Sequence, residues 1–142
     1  MTPKQLSRAR AVQALYQWLL SDDDLGKIEE QFLNRDAPYP PYKISKAYCS
    51  NLFQNIPKNI TLLDEIIEPS LDRSVDELGA TERAILYLGV YELKFQLEVP
   101  YKVVINEAVE LTRLYGAEGA YRLINRSLDK IAQDLRSVEM SD

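Results

Sequence analysis

The side chains in this sequence best suited to chemistry are acids. Adjacent carboxylates at Glu29–Glu30 and Asp64–Glu65 are the kind of pair that can exchange protons with a substrate. Consecutive helix positions point about 100° apart, so neither pair converges on one substrate atom. They read as solvated surface acids. Asp22, Asp23 and Asp24 lack the alternating ligand spacing and the closing bidentate Glu of a calcium loop. They read instead as a helix-start cluster, favoured by the positive end of the helix dipole. The chain has no histidine and one cysteine, Cys49. Within this chain that excludes zinc sites of the Cys/His type, Ser-His-Asp triads and Cys-His nucleophile pairs. No GxxxxGK[ST] or GxGxxG loop occurs. The residues predict a protein that is not an enzyme and uses no metal and no cofactor. Cys49 is expected to be a small buried apolar residue.

One polar pair is harder to place. Asn106 and Glu107 stand side by side in VPYKVVINEAVELTRLYG (99–116), early in a segment whose inner face is apolar. With a helix starting near Tyr101, the inward face is Val104, Ile105, Ala108, Val109 and Thr112, extended by Tyr115. Asn106 and Glu107 fall at its borders, within reach of neighbouring helix ends. They are expected to hydrogen-bond open backbone groups, with Glu92 and Asn125 as comparable internal polar residues. A buried Asn without partners costs on the order of 1–3 kcal/mol, so such a pair would set helix register rather than do chemistry.

The 142 positions suit one domain with its own core. Hydrophobic residues at 46% and charged residues at 27% describe an ordinary soluble globular chain. The start MTPKQLSRAR has no apolar core of a signal peptide, and the longest apolar run, AILYLGVY (84–91), is too short to span a bilayer. A cytoplasmic, reducing location and no membrane partner are expected. The net charge of −5 opposes indiscriminate nucleic-acid binding. Its distribution is uneven. Residues 1–20 carry Lys4, Arg8 and Arg10 and no acid, whereas residues 63–82 carry Asp64, Glu65, Glu68, Asp72, Asp76, Glu77 and Glu82 against Arg73. Such a chain has the charges to hold two unlike partners, and equally the charges of two solvated helix faces.

The elements read as all-α, about seven helices. Thr2, Pro3 and Gln5 form a capped start for a helix to about Leu20, with Ala11, Leu15, Trp18 and Leu19 on one face. A shorter helix over 24–35 turns Leu25, Ile28, Phe32 and Leu33 inward. APYPPY (37–42) forbids helix, and a third helix over about 43–55 places Ile44, Ala47, Tyr48, Leu52 and Phe53 at helical spacing. Pro57 is expected to start the next helix, with Ile60, Leu63, Ile66 and Ile67 inward, and SVDELG (74–79) to form one turn capped by Ser74 and Glu77. Residues 81–97 are apolar nearly all round, which suits the centre of a bundle. The helix from Pro100 follows, then a last one over about 118–136 with Tyr121, Ile124, Leu128, Ile131 and Leu135 along its seam, and a frayed tail. The expected organisation is a single domain, 1–142, with an N-terminal helical half (about 1–56) and a C-terminal half (about 57–137).

RARAVQALYQWLLS, TERAILYLGVYEL, VPYKVVINEAVELTRLYGAE and NRSLDKIA, in this order and spacing, resemble the NusB family of bacterial transcription antitermination factors. The likeness runs over most of the chain, and the PYKVVINEAVEL block is its specific part. The resemblance implies a fold of two small packed helical bundles. It implies binding of boxA-type single-stranded RNA together with the ribosomal protein NusE, supporting transcription of ribosomal RNA operons, with RNA polymerase and other antitermination components as indirect partners. The RNA-facing end it implies maps onto Lys4, Arg8 and Arg10; Gln13, Tyr16, Lys102, Tyr121, Arg122 and Arg126 are candidates beside them by residue type and position, with cations to meet phosphates and tyrosines to stack on unpaired bases. The NusE-facing set is Asp76, Glu77 and Glu82, complementary in sign to a basic ribosomal protein. By spacing, Arg10 shares a stripe with Ser7, Ala14 and Gln17 that is expected to face a partner, and Tyr16, beside Leu15, is expected to pack.

Two features depart from the family pattern. The N-terminal run of arginines is thinner, and Asn125-Arg126-Ser127-Leu128-Asp129 stands where the family commonly has Asn-Gly-Val-Leu-Asp. RNA affinity is where a difference would be expected. The alternative reading is a helical protein–protein adaptor with little RNA binding of its own. NusB-like domains also begin certain ribosomal RNA methyltransferases; with no SAM-binding sequence within these 142 residues, that enzyme is not expected unless the sequence is a fragment of it.

Overall fold

Thr2 and Gln5 begin the first helix as their spacing requires. The Thr2 hydroxyl accepts the Gln5 N–H (3.1 Å) while the Gln5 side chain accepts the Thr2 N–H (2.8 Å), and Pro3 fills the first helical position. The computed structural model describes residues 1–21, 23–34 and 44–141. The chain divides into two compact units, Met1–Lys58 and Asn59–Asp142. Eight α-helices and no strand occur among the described residues, and no helix among them is long and apolar enough to cross a membrane.

The first unit holds α1 (Pro3–Leu20), α2 (Leu25–Glu29) and α3 (Lys46–Lys58). The helix expected over 24–35 is divided. Asp24 caps α2 by accepting the Lys27 N–H (2.9 Å), but the turn widens to a π-helix over Glu30–Asn34. Within that wider turn the Phe32 carbonyl accepts from Arg10 Nη1 (2.7 Å). Ile28 is buried as expected, whereas Leu25 is exposed. Asp22, Leu33 and the APYPPY segment lie, in side chain or entirely, outside the described residues. Ser7 joins α1 to α3: its hydroxyl accepts the Ser45 N–H (2.9 Å) and lies within donor reach of the Pro3 and Ser45 carbonyls. Leu52, Phe53 and Ile56 fill the core against Ala11 and Leu15, while Ala47 faces outward. Cys49 is fully buried, and burial pushes its thiol up to about 12. Pro57 does not begin a helix. It sits in the last turn of α3, which ends one residue later; its fixed φ fits the helix, while it cannot donate to the Phe53 carbonyl and its ring crowds that group.

The second unit holds α4 (Ile60–Ile67), 3₁₀ turns at Glu68–Ser70 and Val75–Glu77, α5 (Ala80–Phe95), α6 (Tyr101–Tyr115), α7 (Tyr121–Leu135) and α8 (Ser137–Met140). The apolar helix α5 is the centre, its residues 84–93 all buried. It approaches α7 closely where Gly89 leaves room: a Cβ there would stand 2.9 Å from Leu128 Cδ1. Ser74 caps the second 3₁₀ turn by accepting the Asp76 N–H (3.3 Å), without the reciprocal bond expected from Glu77. Val104, Ile105, Ala108 and Thr112 face inward on α6 as expected. Leu111 joins them, and Tyr115 is exposed.

The eighth helix is the tail that the sequence predicts to be frayed. Arg136 is only 4% exposed and donates to the carbonyls of Leu93 (2.8 Å), Glu92 (3.2 Å) and Gln96 (3.1 Å) around the C-terminal end of α5, the last two of which also accept the backbone N–H groups of Gln96 and Val99. It also pairs with Glu139, whose carboxylate accepts the Tyr101 N–H (2.9 Å) at the start of α6. The Tyr101 N–H, followed by Arg136, holds the Glu139 carboxyl below its usual range. The tail is thereby fastened to two helix ends.

Candidate nucleic-acid interface

On α1, the expected cationic edge is only partly exposed. Lys4 is exposed, with Nζ 5.2 Å from the centre of the Tyr48 ring. Arg8 lies over the same ring (5.5 Å) but is 3% exposed, too buried to meet a phosphate without displacing its surroundings. Arg10 is half-buried and bonded to the Phe32 carbonyl, and Ser7 and Ala14 on its stripe are fully buried. That stripe is an inward face of the first unit. Helical spacing identified the stripe correctly and its polar members misdirected the assignment, because Ser7 and Arg10 satisfy backbone groups rather than water. Tyr16 is 42% exposed and Gln13 is exposed, so the tyrosine expected to pack has a free ring.

In the second unit the turn between α6 and α7 gathers a different group. Arg113, at the end of α6, stands 4.5 Å from the Tyr121 ring centre, and Arg122 stands 5.7 Å from it with Nε 3.4 Å from the phenol oxygen. The Arg122 contact, then its charge, lowers the Tyr121 phenol below its ordinary value. A tyrosine flanked by two exposed guanidiniums is suited to stack on a base beside a phosphate. Arg113 was not singled out from the sequence. Its eight-residue separation from Tyr121 is bridged only by the turn, and no periodicity signals it. Lys102 and Arg126 are exposed, and Arg126 is close enough to Asp72 to contribute to lowering that carboxyl, behind the larger effect of Arg73.

The acids expected to face a protein separate in the same way. Asp76 and Glu77 are exposed on the 3₁₀ turn, Asp76 within 3.5 Å of Arg83. Glu82 is 9% exposed and accepts the Ala117 N–H (2.9 Å), so it serves the interior of the unit. Among the polar anchors, Glu92 is fully buried and Glu107 half-buried. Asn106 and Asn125 are exposed instead, with no side-chain hydrogen bond among the described residues, so neither is an internal anchor. Asn106 stands on the side of α6 away from its buried seam, and Asn125 at the exposed border of the α7 seam. Ser127 is fully buried, its hydroxyl 2.5 Å from that of Ser70, which donates on to the Ile67 carbonyl (2.6 Å). The Ser127 hydroxyl is therefore matched by a second one inside the unit, whereas Arg126 beside it is exposed.

Cations beside tyrosine faces, and exposed acids elsewhere, are groups suited to recognising polar partners, and here they are carried on an all-helical fold. Residues 5–133 match the profile of the NusB family. The transcription antitermination protein NusB of Pasteurella multocida is 45% identical over 93% of this chain and 90% of that one, and that of Serratia proteamaculans is 43% identical over 96% and 98%. The solved NusB of T. maritima superposes with a TM-score of 0.82 at 30% identity, covering 94% of each chain. A solved complex of the antitermination factors NusB and NusE with double-stranded RNA gives 0.81 at 28% identity, over 92% of this chain and 96% of that one. The chain belongs to the NusB family.

Proposed function

We propose that this protein is a transcription antitermination factor that binds boxA-type single-stranded RNA jointly with NusE and acts in the cytoplasm by binding, without catalysis. The observation that carries this reading is the Arg113–Tyr121–Arg122 group, a stacking face with flanking cations on the surface of a chain whose net charge is negative. The solved relative that holds NusE and RNA together supports the same pairing of partners. Tyr16, Gln13 and Lys4 on the first unit, and Lys102 and Arg126 on the second, supply further RNA contacts; Asp76 and Glu77 receive the basic partner. Arg8 and Arg10 contribute through the folding of the first unit.

The burial of Arg8 and the bonding of Arg10 also favour a partner-dependent version of this function, in which the isolated chain holds RNA weakly. Fluorescence titration of a boxA-like single strand, with and without NusE, tests both. NusE should raise the affinity, and Tyr121→Ala or Tyr16→Ala should each weaken binding by about 1–3 kcal/mol with NusE affinity unchanged. If NusE leaves RNA affinity where it was, the joint-binding reading is wrong.

A further inference from the structure

We propose that Glu82 is a positioning residue for the Tyr121 platform: its buried carboxylate holds the turn after α6 in the arrangement that brings Arg113 and Tyr121 together. The proposal rests on the reading of Tyr121 as an RNA contact. Glu82 is the third residue of α5, where an acid is ordinarily stabilised by the helix dipole while facing water. Here it is turned inward. One oxygen accepts the Ala117 N–H at 2.9 Å, the single side-chain hydrogen bond reaching residues 116–120 among the described residues. The turn it grips is a demanding one, because Gly119 in it adopts φ 81° before Tyr121 opens α7.

Two glycines show that the surroundings are built around this carboxylate. A Cβ on Gly79 would lie 2.7 Å from Glu82 Oε2, and one on Gly116 would lie 3.2 Å from Oε1 and 2.8 Å from the Thr112 carbonyl. Neither glycine needs its conformational freedom, since Gly79 has φ −61° and Gly116 φ −88°, values open to any residue. What their lack of a side chain supplies is space. The carboxylate thus sits between the end of the acidic 3₁₀ segment and the start of the turn that delivers Tyr121. Tyr121 and Arg113 belong to different helices, and the turn sets how the end of α6 meets the start of α7, where these two side chains stand together.

The test is a mutant cycle in the full-length chain with NusE and a boxA-like strand, read by RNA affinity, together with hydrogen exchange at the Ala117 amide. Tyr121→Ala should weaken RNA binding roughly tenfold, within the range for loss of one stacked base. Glu82→Ala should weaken it by a similar factor, yet add nothing in the Tyr121→Ala background. Glu82→Gln, whose amide oxygen still accepts the Ala117 N–H, should restore most of the affinity. The Ala117 amide should exchange faster in Glu82→Ala and not in Glu82→Gln. Effects that multiply in the double variant, or an unchanged Glu82→Ala, overturn the positioning role while Tyr121 keeps its own. An unchanged Tyr121→Ala overturns the RNA reading and the proposal together. Should Glu82→Ala fail to fold, Gly116→Ala, which crowds the same turn against the Thr112 carbonyl, must reproduce the loss and its dependence on Tyr121 or the proposal falls.

Discussion

Replacing Arg136 with alanine should destabilise the second unit more than any surface change. The guanidinium is 4% exposed and donates to three carbonyls at the end of α5, between 2.8 and 3.2 Å, besides pairing with Glu139. Hydrogen bonds from a charged donor contribute about 1.5–3 kcal/mol each, but bonds that share one group are not additive. Breaking a buried pair costs about 3–5 kcal/mol, and the partly exposed Glu139 recovers some hydration, so the low end applies. The expected loss is about 3–4 kcal/mol, a large share of the roughly 5–15 kcal/mol that holds a domain together. Urea unfolding followed by far-UV circular dichroism is the measurement to use, because the one tryptophan, Trp18, lies in the first unit. Arg136→Lys keeps the charge and loses the planar fork, so it should recover less than half of the loss. A fall below about 1 kcal/mol for the alanine variant, or full recovery by lysine, would refute the view that the tail fastens α5 and α6 through this geometry. The linkage adds a pH signature. Because the folded Glu139 carboxyl is held below its unfolded value, its contribution is present above the ordinary carboxylate range and fades as pH falls through the lowered folded value.

Two other buried polar groups give sharp expectations. Ser127→Val should destabilise by about 1–3 kcal/mol through crowding, since the Ser70 hydroxyl already stands 2.5 Å away. Adding Ser70→Ala should return most of that stability, and a double-mutant cycle that shows simple additivity would refute the pairing. Tyr87 is fully buried, with its hydroxyl donating to Asp64 Oδ1 (2.6 Å) and accepting from Arg83 Nη2 (3.0 Å); burial, then Asp64, pushes its phenol up to about 12. A raised folded value means its contribution is complete below the unfolded value of 10.0 and is lost as pH rises toward 12. Urea midpoints measured across that window should fall steeply for the parent and less for Tyr87→Phe.

The helices were legible because their signals are local. The Thr2–Gln5 cap, the all-round apolarity of α5 and the seam of α7 each need only a few turns of sequence, and each appears as read. The π turn after α2 was not legible, since the Arg10–Phe32 contact found there joins residues 22 apart. Pro57 misled for a simpler reason: proline is permitted at the first turn of a helix and tolerated at the last, and sequence alone does not say which side it is on. The fastened tail was invisible because Arg136 and Glu139 acquire meaning only from the ends of α5 and α6, more than thirty residues away.

Several of the assignments that moved concern charge. Arg8, Glu82, Glu92 and Arg136 are charged by type and buried in place: Glu82 accepts a backbone N–H, Arg136 meets backbone carbonyls and Glu139, and Arg8 lies over the Tyr48 ring. Counting charges along a sequence therefore overstates the field a folded surface presents, most of all where the fold recruits long polar side chains to close helix ends. For this chain the correction has a direction. With Arg8 withdrawn and Arg10 engaged, the N-terminal edge offers Lys4 and a free Tyr16 rather than a row of cations, and the densest cation–aromatic group is that of Arg113, Tyr121 and Arg122. On the RNA-binding function proposed for it, a protein of net charge −5 so equipped would gain more from ring faces than from neutralised phosphates, and its affinity would follow from how firmly those rings are presented.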